Sequence, residues 1–474
     1  MGPSGEIGPV SSICSDIGRL GISLGVATAL AVTSIGAPTA SAQGIPLIRD
    51  SEIEAVLRDY ARPIFRAAGL GANNISMRIV RHDSFNAFVA DGQNVFINSG
   101  SLAMAKTPNE VIGVLAHETG HITGGHLASL RARIARDQTK MLLVSLLGIG
   151  ALIAGASSRN DSAREIGSMG QGVLLGGPEV VMRSLLAERR SQESAADQAG
   201  LNFLNATKQS GRGMLGVFER FAQQEFVSEQ YMDPFVRSHP VATARLAQLR
   251  EKVEQSPYVN AKDSPELQLR HDMMRAKIAG YLDRPGTVMG NYPPSDTSLP
   301  ARYARAISKN CQGRCAQSVA DVDALIKEQP NNPYFHELKG SLYFFGGNYK
   351  ECIPHLRKAL QLAGGEEPLM QANLAQALIA TDDPAQIDEA LPLLRRSVVR
   401  DGDNARAYHT LATALYKKGQ APQAEYAAAQ ANFIEGNFKQ AQIFAKRAQT
   451  KLPQGSPEWN KAEEIVTFKI PTAN

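Results

Sequence analysis

The residues best suited to chemistry stand in the stretch GVLAHETGHITGGHL, 113–127: His117, Glu118, His121 and His126. On an α-helix successive side chains turn by about 100°, so His117 and His121, four apart, share one face one turn from each other. Two imidazoles placed in this way can hold one Zn²⁺. Glu118 lies beside them and can reach a water on that ion. Zinc brings such a water to a pKa of about 7, and a carboxylate within reach can take its proton. The same five-residue pattern also arises by chance, though uncommonly.

A catalytic zinc needs a third protein ligand. On a helix that continues to His126, this residue stands nine positions after His117 and faces backwards. In the pattern HExxHxxGxxH the last histidine comes six residues after the second; here the spacing is five. His126 is therefore read as an outer or packing residue and not as a ligand. Glu193, in RRSQESAADQAG, fits better. A carboxylate from a second helix closes a two-histidine, one-glutamate site and leaves the fourth position for water or substrate. Asp197, one turn on, can accept the free N–H of a ligating imidazole and fix its tautomer. An acidic pair on a solvated helix face is the alternative, and the position of the pair after an HExxH helix favours the ligand reading.

Several elements must position these groups. Residues 50–69 have helical spacing behind an Asp-Ser start suited to an N-cap. SMRIV, NAFVA and NVFINS are short β-rich runs separated by turn residues, and predict a small sheet. Thr107 and Pro108 open a helix expected over 108–137. A second helix is expected over 180–211 and a third over 213–225, followed by RSHPVATARLAQLR. Between the two ligand helices, 141–158 and 167–178 are apolar and rich in glycine. Three readings are open for 141–178: a helical hairpin packed on the protein or folded over a cleft, a peripheral membrane contact, and a membrane span.

Residues 254–298 carry repeated Pro, Gly, Asp and Ser and read as a linker. After it the chain repeats. PYFHELKGSLYFFGGNYKECIPHLRKAL (333–360) places Gly340, Tyr343, Gly347, Tyr349 and Ala359 as a 34-residue tetratricopeptide unit does. Residues 405–434 follow the same scheme, while 299–332 and 368–402 follow it more loosely, with a short insertion near Asp382. Gly436 and Ala441 then repeat Gly419 and Ala424, so the helix at 421–434 closes one unit and opens the next. Stacked pairs of this kind make a solenoid with a concave face.

The whole chain has 474 residues, 43% apolar and 20% charged, enough for two or three domains. A formal charge of +4 without a basic block argues against nucleic acid. No charge occurs from Leu20 to Ile48, and the apolar run ends in Ala40-Ser41-Ala42. This predicts a secretory signal peptide over 1–42, cleaved after Ala42, with an uncleaved anchor as the alternative. The exported chain keeps Cys311, Cys315 and Cys352, so at most one internal bridge can form. Cys311 and Cys315 flank a turn and are candidates for a local disulfide; Cys352 holds a small core position and reads as a free thiol.

HETGH together with ESAAD resembles the gluzincin metalloproteases of the CAAX-prenyl-protease and HtpX type. FNAFVADGQNVFINSGSL (85–102) resembles that family's strand ahead of the zinc helix, an edge to which substrate adds as an extra strand. SHPVATAR resembles its Ser/Thr-His-Pro…Arg element. With an export signal in front and repeats behind, the chain resembles the periplasmic branch of the family in Gram-negative bacteria. The resemblance implies an α+β, mostly α chain: a zincin-like metalloprotease domain over 43–253 with a small sheet, then a tetratricopeptide solenoid over 299–474. It implies one Zn²⁺ on His117, His121 and Glu193, with Glu118 as base. It implies Arg245 near the site, orienting substrate or the tetrahedral oxyanion, and a substrate edge at Asn86, Ala87, Phe88, Asn94, Val95 and Phe96. His239 would be a regulatory metal ligand that keeps the enzyme latent; an ordinary loop histidine before Pro240 is the other reading. The implied function is a zinc endopeptidase of periplasmic quality control. Its clients would be unfolded or misassembled outer-membrane β-barrel proteins, reached directly or with their assembly machinery through the repeats. A client-binding chaperone or scaffold that cuts little is the alternative.

Overall fold

The structure, a computed structural model, describes residues 46–71, 75–90, 94–126, 128, 129, 132, 187–222, 239, 243–313 and 315–470. The export signal expected at 1–42 and the apolar stretches at 141–178 lie outside them. Residue contacts divide the chain into two compact units. One is Ile53–Asp272; the other joins the described residues before Ile53 to those from Met273 on.

In the first unit, helix α1 (Ser51–Ala67) buries Ile53, Val56, Leu57, Tyr60 and Ile64. This is the three-and-four spacing of an amphipathic helix. β1 (Leu47–Ile48) precedes it in the chain. The three expected runs form strands β2 (Ser76–Val80), β3 (Ala87–Ala90) and β4 (Asn94–Asn98). β4 pairs in parallel with β2, Met77 opposite Val95, and antiparallel with β3, Phe88 opposite Phe96. β4 is therefore an inner strand and β3 stands at the edge of the sheet.

After α2 (Ser99–Met104) comes α3 (Pro108–Thr123). The Thr107 side chain caps it by accepting from Glu110 N, and Pro108 fills the first turn, where no N–H is needed. Every residue from Val111 to Gly120 is buried, so α3 is the central helix of the unit. It ends at Thr123, and beyond the turn that follows, His126, Ala128, Ser129 and Ala132 are helical again, while the other residues of 127–137 lie outside the described ones. Gly124 and Gly125 form a turn, and Gly125 takes φ +61°, a left-handed conformation open to glycine. Further on, the described residues form α4 (residues 187–206), α5 (Arg212–Ala222) and α6 (Thr243–Glu254).

Residues 254–298, expected as a linker, contain α7 (Pro265–Leu282) and α8 (Pro285–Asn291). Pro265 and Pro285 open these helices, a position proline favours, so the residue type that suggested a loop instead marks helix starts.

From Met273 on, the second unit is helical in its described residues. Four antiparallel pairs follow: α9 (Leu299–Cys311) with α10 (Cys315–Glu328), α11 (Pro333–Phe345) with α12 (Tyr349–Leu362), α13 (Pro368–Ala380) with α14 (Pro384–Arg400), and α15 (Ala405–Lys417) with α16 (Ala421–Ile434). First helices start at 299, 333, 368 and 405, steps of 34, 35 and 37 residues. α17 (Phe438–Gln449) packs on α16, which thus serves two neighbours, and α18 (Pro457–Thr467) follows. One apolar cluster runs from Leu356 and Ala359 through Leu374 and Leu378 to Leu394, Leu411 and Ala424, a core shared between successive pairs. Cys352 lies in it as a free thiol, which burial pushes up to about 12. Cys315 is also a free thiol and donates to the Leu342 carbonyl at 3.6 Å, so it does not make the expected bridge to Cys311. The Cys311 side chain lies outside the described residues. No described helix is long and apolar enough to cross a membrane.

Candidate metal centre

Two helices supply the centre, and small residues let them meet. A β-carbon on Gly200 of α4 would stand 3.0 Å from the backbone nitrogen of His117 in α3, and one on Gly120 of α3 would stand 2.6 Å from the Ala196 carbonyl oxygen. At Gly120 a side chain would force the backbone of α4 to shift, and at Gly200 it would stand at the limit of contact. The approach of the two helices carries Glu193 and Asp197 onto the face of α3 that holds both histidines.

Nitrogen and oxygen atoms converge there. His117 Nε2 lies 3.1 Å from His121 Nε2 and 3.2 Å from His239 Nδ1. The Glu193 carboxylate lies 3.2 Å from His239 Nδ1 and 3.4 Å from Nε2 of each of the other two histidines. Within this cluster of four every ligand atom is within 4.8 Å of the others. Around a tetrahedral zinc with bonds of about 2.0–2.1 Å, neighbouring ligand atoms stand about 3.3 Å apart. The separations and the donor set both fit that ion. Glu118 is buried, and its Oε1 has no hydrogen-bond partner although it lies 3.3 Å from His239 Nε2. A buried carboxylate oxygen without a donor is costly unless a further molecule supplies one.

Residues 48–253 match the sequence profile described as Peptidase family M48. This stretch is a peptidase family M48 domain. The chain is also similar over 426 residues to the beta-barrel assembly-enhancing protease of Yersinia pestis, at 23% identity, covering 87% of this chain and 82% of that one. Over 415 residues it is 21% identical to the protein of the same name from Escherichia coli strain K12, again 87% and 82% of the two chains. Metalloprotease YcaL of that strain is 26% identical over 200 residues, 41% of this chain and 70% of its own. The chain thus carries a metallopeptidase domain and extends beyond it in company with the first two.

Behind the metal cluster of the M48 domain lies a second layer. His117 Nδ1 is 2.9 Å from Asp197 Oδ1, and Asp197 accepts from Arg245 Nε and, at 2.7 Å, from Nη2. Arg245 Nη1 is 3.1 Å from Glu193 as well. Phe218 of α5 packs edge-on against His117, centroids 5.3 Å apart, and lies 4.9 Å beneath the Arg245 guanidinium. Nothing in the sequence marked Phe218 beyond its place on an apolar helix face.

Burial opposes the charge on His117, yet the bonds to Asp197 and Glu193 outweigh it and hold its pKa at about 9. Burial, helped by that neighbouring charge, brings His121 down to about 2. Burial also raises Glu118. Glu193 and Asp197 go down despite burial, Glu193 through His239 and His117, Asp197 through Arg245 and His117. A metal ion at His117 would therefore compete with its proton.

Of the residues expected at a substrate edge, Ala87 and Phe88 lie on β3 and Asn86 just before it. Asn94, Val95 and Phe96 do not lie at an edge. They belong to β4, which has a strand on each side. Phe96 instead stacks on Phe88, centroids 5.1 Å apart and planes 9° from parallel. His239 Nε2 lies 3.3 Å from the Ala87 carbonyl oxygen, so this histidine touches both the metal cluster and the edge strand.

Proposed function

We propose that the chain is a zinc endopeptidase acting in the periplasm on unfolded or misassembled outer-membrane β-barrel proteins. The observation that carries the reading is the convergence of His117, His121, Glu193 and His239 beside an unpartnered Glu118 oxygen. Zinc, when bound, lowers the pKa of a water and polarises a carbonyl.

His117, His121 and Glu193 hold the ion, and Asp197 keeps the proton of His117 on Nδ1 so that Nε2 is free to bind. Glu118 accepts the proton of the attacking water at Oε1 and returns it to the leaving amine as the amide C–N bond breaks and the water oxygen joins the carbonyl carbon. The peptide enters as an added strand along the outer side of β3, at the edge of the sheet. His239 takes the fourth place in the cluster and faces the Ala87 carbonyl, and must leave both before a peptide enters. The enzyme is thus latent at rest. The repeat unit recruits clients or their assembly machinery, a role supported by similarity over most of the chain to relatives named for β-barrel assembly.

Cleavage of an unfolded protein by zinc-loaded wild type, His239→Ala, and His239→Ala with Glu118→Gln tests this. Activity should rise with the first change and fall by about 10²–10⁴ with the second. Silence from all three with zinc bound would favour a client-binding scaffold, and activity surviving Glu118→Gln would overturn the mechanism.

A further inference from the structure

His121 directs Nε2 at the metal cluster, and its other ring nitrogen meets a partner outside that cluster. Nδ1 of His121 lies 2.9 Å from Nδ1 of His126, with ring centroids 5.0 Å apart and planes at 80°. We propose that His126 is a positioning residue of the metal centre, accepting a hydrogen bond from His121 Nδ1–H and so fixing Nε2 of His121 as the unprotonated ligand atom. The proposal rests on the metal-centre reading above.

A hydrogen bond between two ring nitrogens needs one N–H and one lone pair. A His121 with its proton on Nε2 could not use that atom as a ligand. The proton therefore belongs on Nδ1, the lone pair belongs to His126 Nδ1, and His126 keeps its own proton on Nε2. The two ligand histidines of α3 are thus oriented by different acceptors. His117 has the Asp197 carboxylate, anchored by Arg245, and His121 has a neutral imidazole.

The chain is built to bring that imidazole back. On a continuing helix His126 would face away; the Gly124–Gly125 turn returns it to the His121 side. Gly124 has ordinary helical angles, φ −74° and ψ −9°, so its backbone would accept alanine. Its lack of a side chain serves the ring, since a β-carbon there would stand 2.7 Å from His126 Cδ2. Beyond the turn, Ser129 Oγ donates to the His126 carbonyl at 2.9 Å and accepts from Gln192 Nε2 at 3.0 Å. That bond ties the turn to the residue preceding Glu193.

The test is zinc affinity of the full chain, by competition with a chromophoric chelator, together with the visible spectrum of the Co²⁺-loaded protein. The proteins are wild type, His126→Phe, His126→Asn and Gly124→Ala. His126→Phe should lose 10–100-fold in affinity, as the loss of an outer partner does. Gly124→Ala, which keeps His126 but displaces its ring, should move the same way, and both should alter the cobalt spectrum. His126→Asn, whose Oδ1 can accept in place of Nδ1, should keep most of the affinity and the wild-type spectrum. The metal-free thermal midpoint should not move in Gly124→Ala, which decides the matter if His126→Phe folds poorly. Wild-type affinity and spectrum in Gly124→Ala and His126→Phe would overturn the proposal. Wild type that binds no ion would instead remove the metal-centre reading itself.

Discussion

A β-carbon on Gly120 would stand 2.6 Å from the carbonyl oxygen of Ala196, closer than packed atoms tolerate. α3 and α4 therefore touch backbone to backbone at the position where HExxH leaves its second free residue. The contact sets the distance between two histidines on one helix and a glutamate on the other.

Gly120→Val should push the helices apart, costing about 1–3 kcal/mol of stability as overpacking does. Its effect on metal should be larger than its effect on folding, with zinc affinity down more than tenfold, because Glu193 moves with α4. Gly216→Ala is the control: nothing lies within 4 Å of its added carbon. Chelator competition on both variants reads the result. A Gly120→Val protein that folds and binds zinc as tightly as wild type would show that the crossing does not set the ligand spacing.

Asp197 stands between His117 and Arg245, and the three are buried together. Asp197→Asn can still accept from His117 but no longer compensates the guanidinium, so zinc affinity should fall by 10–100-fold. Arg245→Lys should fall in the same range, since one ammonium cannot reproduce the two-point contact. Arg245→Ala should also unfold at lower temperature, for it takes from Asp197 and Glu193 a buried cation that His117 alone does not replace, at a cost of about 3–5 kcal/mol. Calorimetry of the metal-free proteins separates the two effects. Equal zinc affinity in wild type and Asp197→Asn would assign the triad to folding alone.

What could be read from the sequence was whatever a fixed period expresses. Four-residue spacing puts His117 with His121, and Glu193 with Asp197, on single faces, and the structure has them there. The meeting of those faces depends on Gly120 and Gly200, small residues with no period of their own. A helix continued through Gly124 and Gly125 turns His126 away from His121, whereas the turn at these two glycines, a common place for a helix to stop, brings it back, outside the cluster as expected. The strands were legible from alternation, but alternation tells faces and not neighbours. The resemblance marks the whole stretch 85–102, and alternation within it does not tell that Asn94, Val95 and Phe96 lie inside the sheet while β3 holds the edge. The repeat pairs were legible because their punctuation recurs at near-constant steps.

The repeat unit holds its own titrating group. Glu337 of α11 is only 6% exposed. It accepts from Ser51 Oγ on one oxygen and from Asn373 Nδ2 at 3.1 Å on the other. Burial pushes its pKa up to about 7, against the pull of Lys277, whose ammonium is 2.8 Å from Asp50 and 3.2 Å from Glu52. A carboxyl raised in the folded state binds its proton more tightly there than in the unfolded chain, where it titrates near its model value of 4.5. Its contribution to stability is thus full below pH 4.5 and is lost as pH rises through about 7. The loss is at most about 3 kcal/mol. Glu337→Gln keeps the shape and cannot ionise, so it should gain on wild type across that window. The difference between their thermal midpoints, taken at pH 4.5 and at pH 8, measures the effect. A difference that stays constant, or that moves against the glutamine at high pH, would mean that Glu337 is already ionised in the folded chain and is stabilised by Lys277.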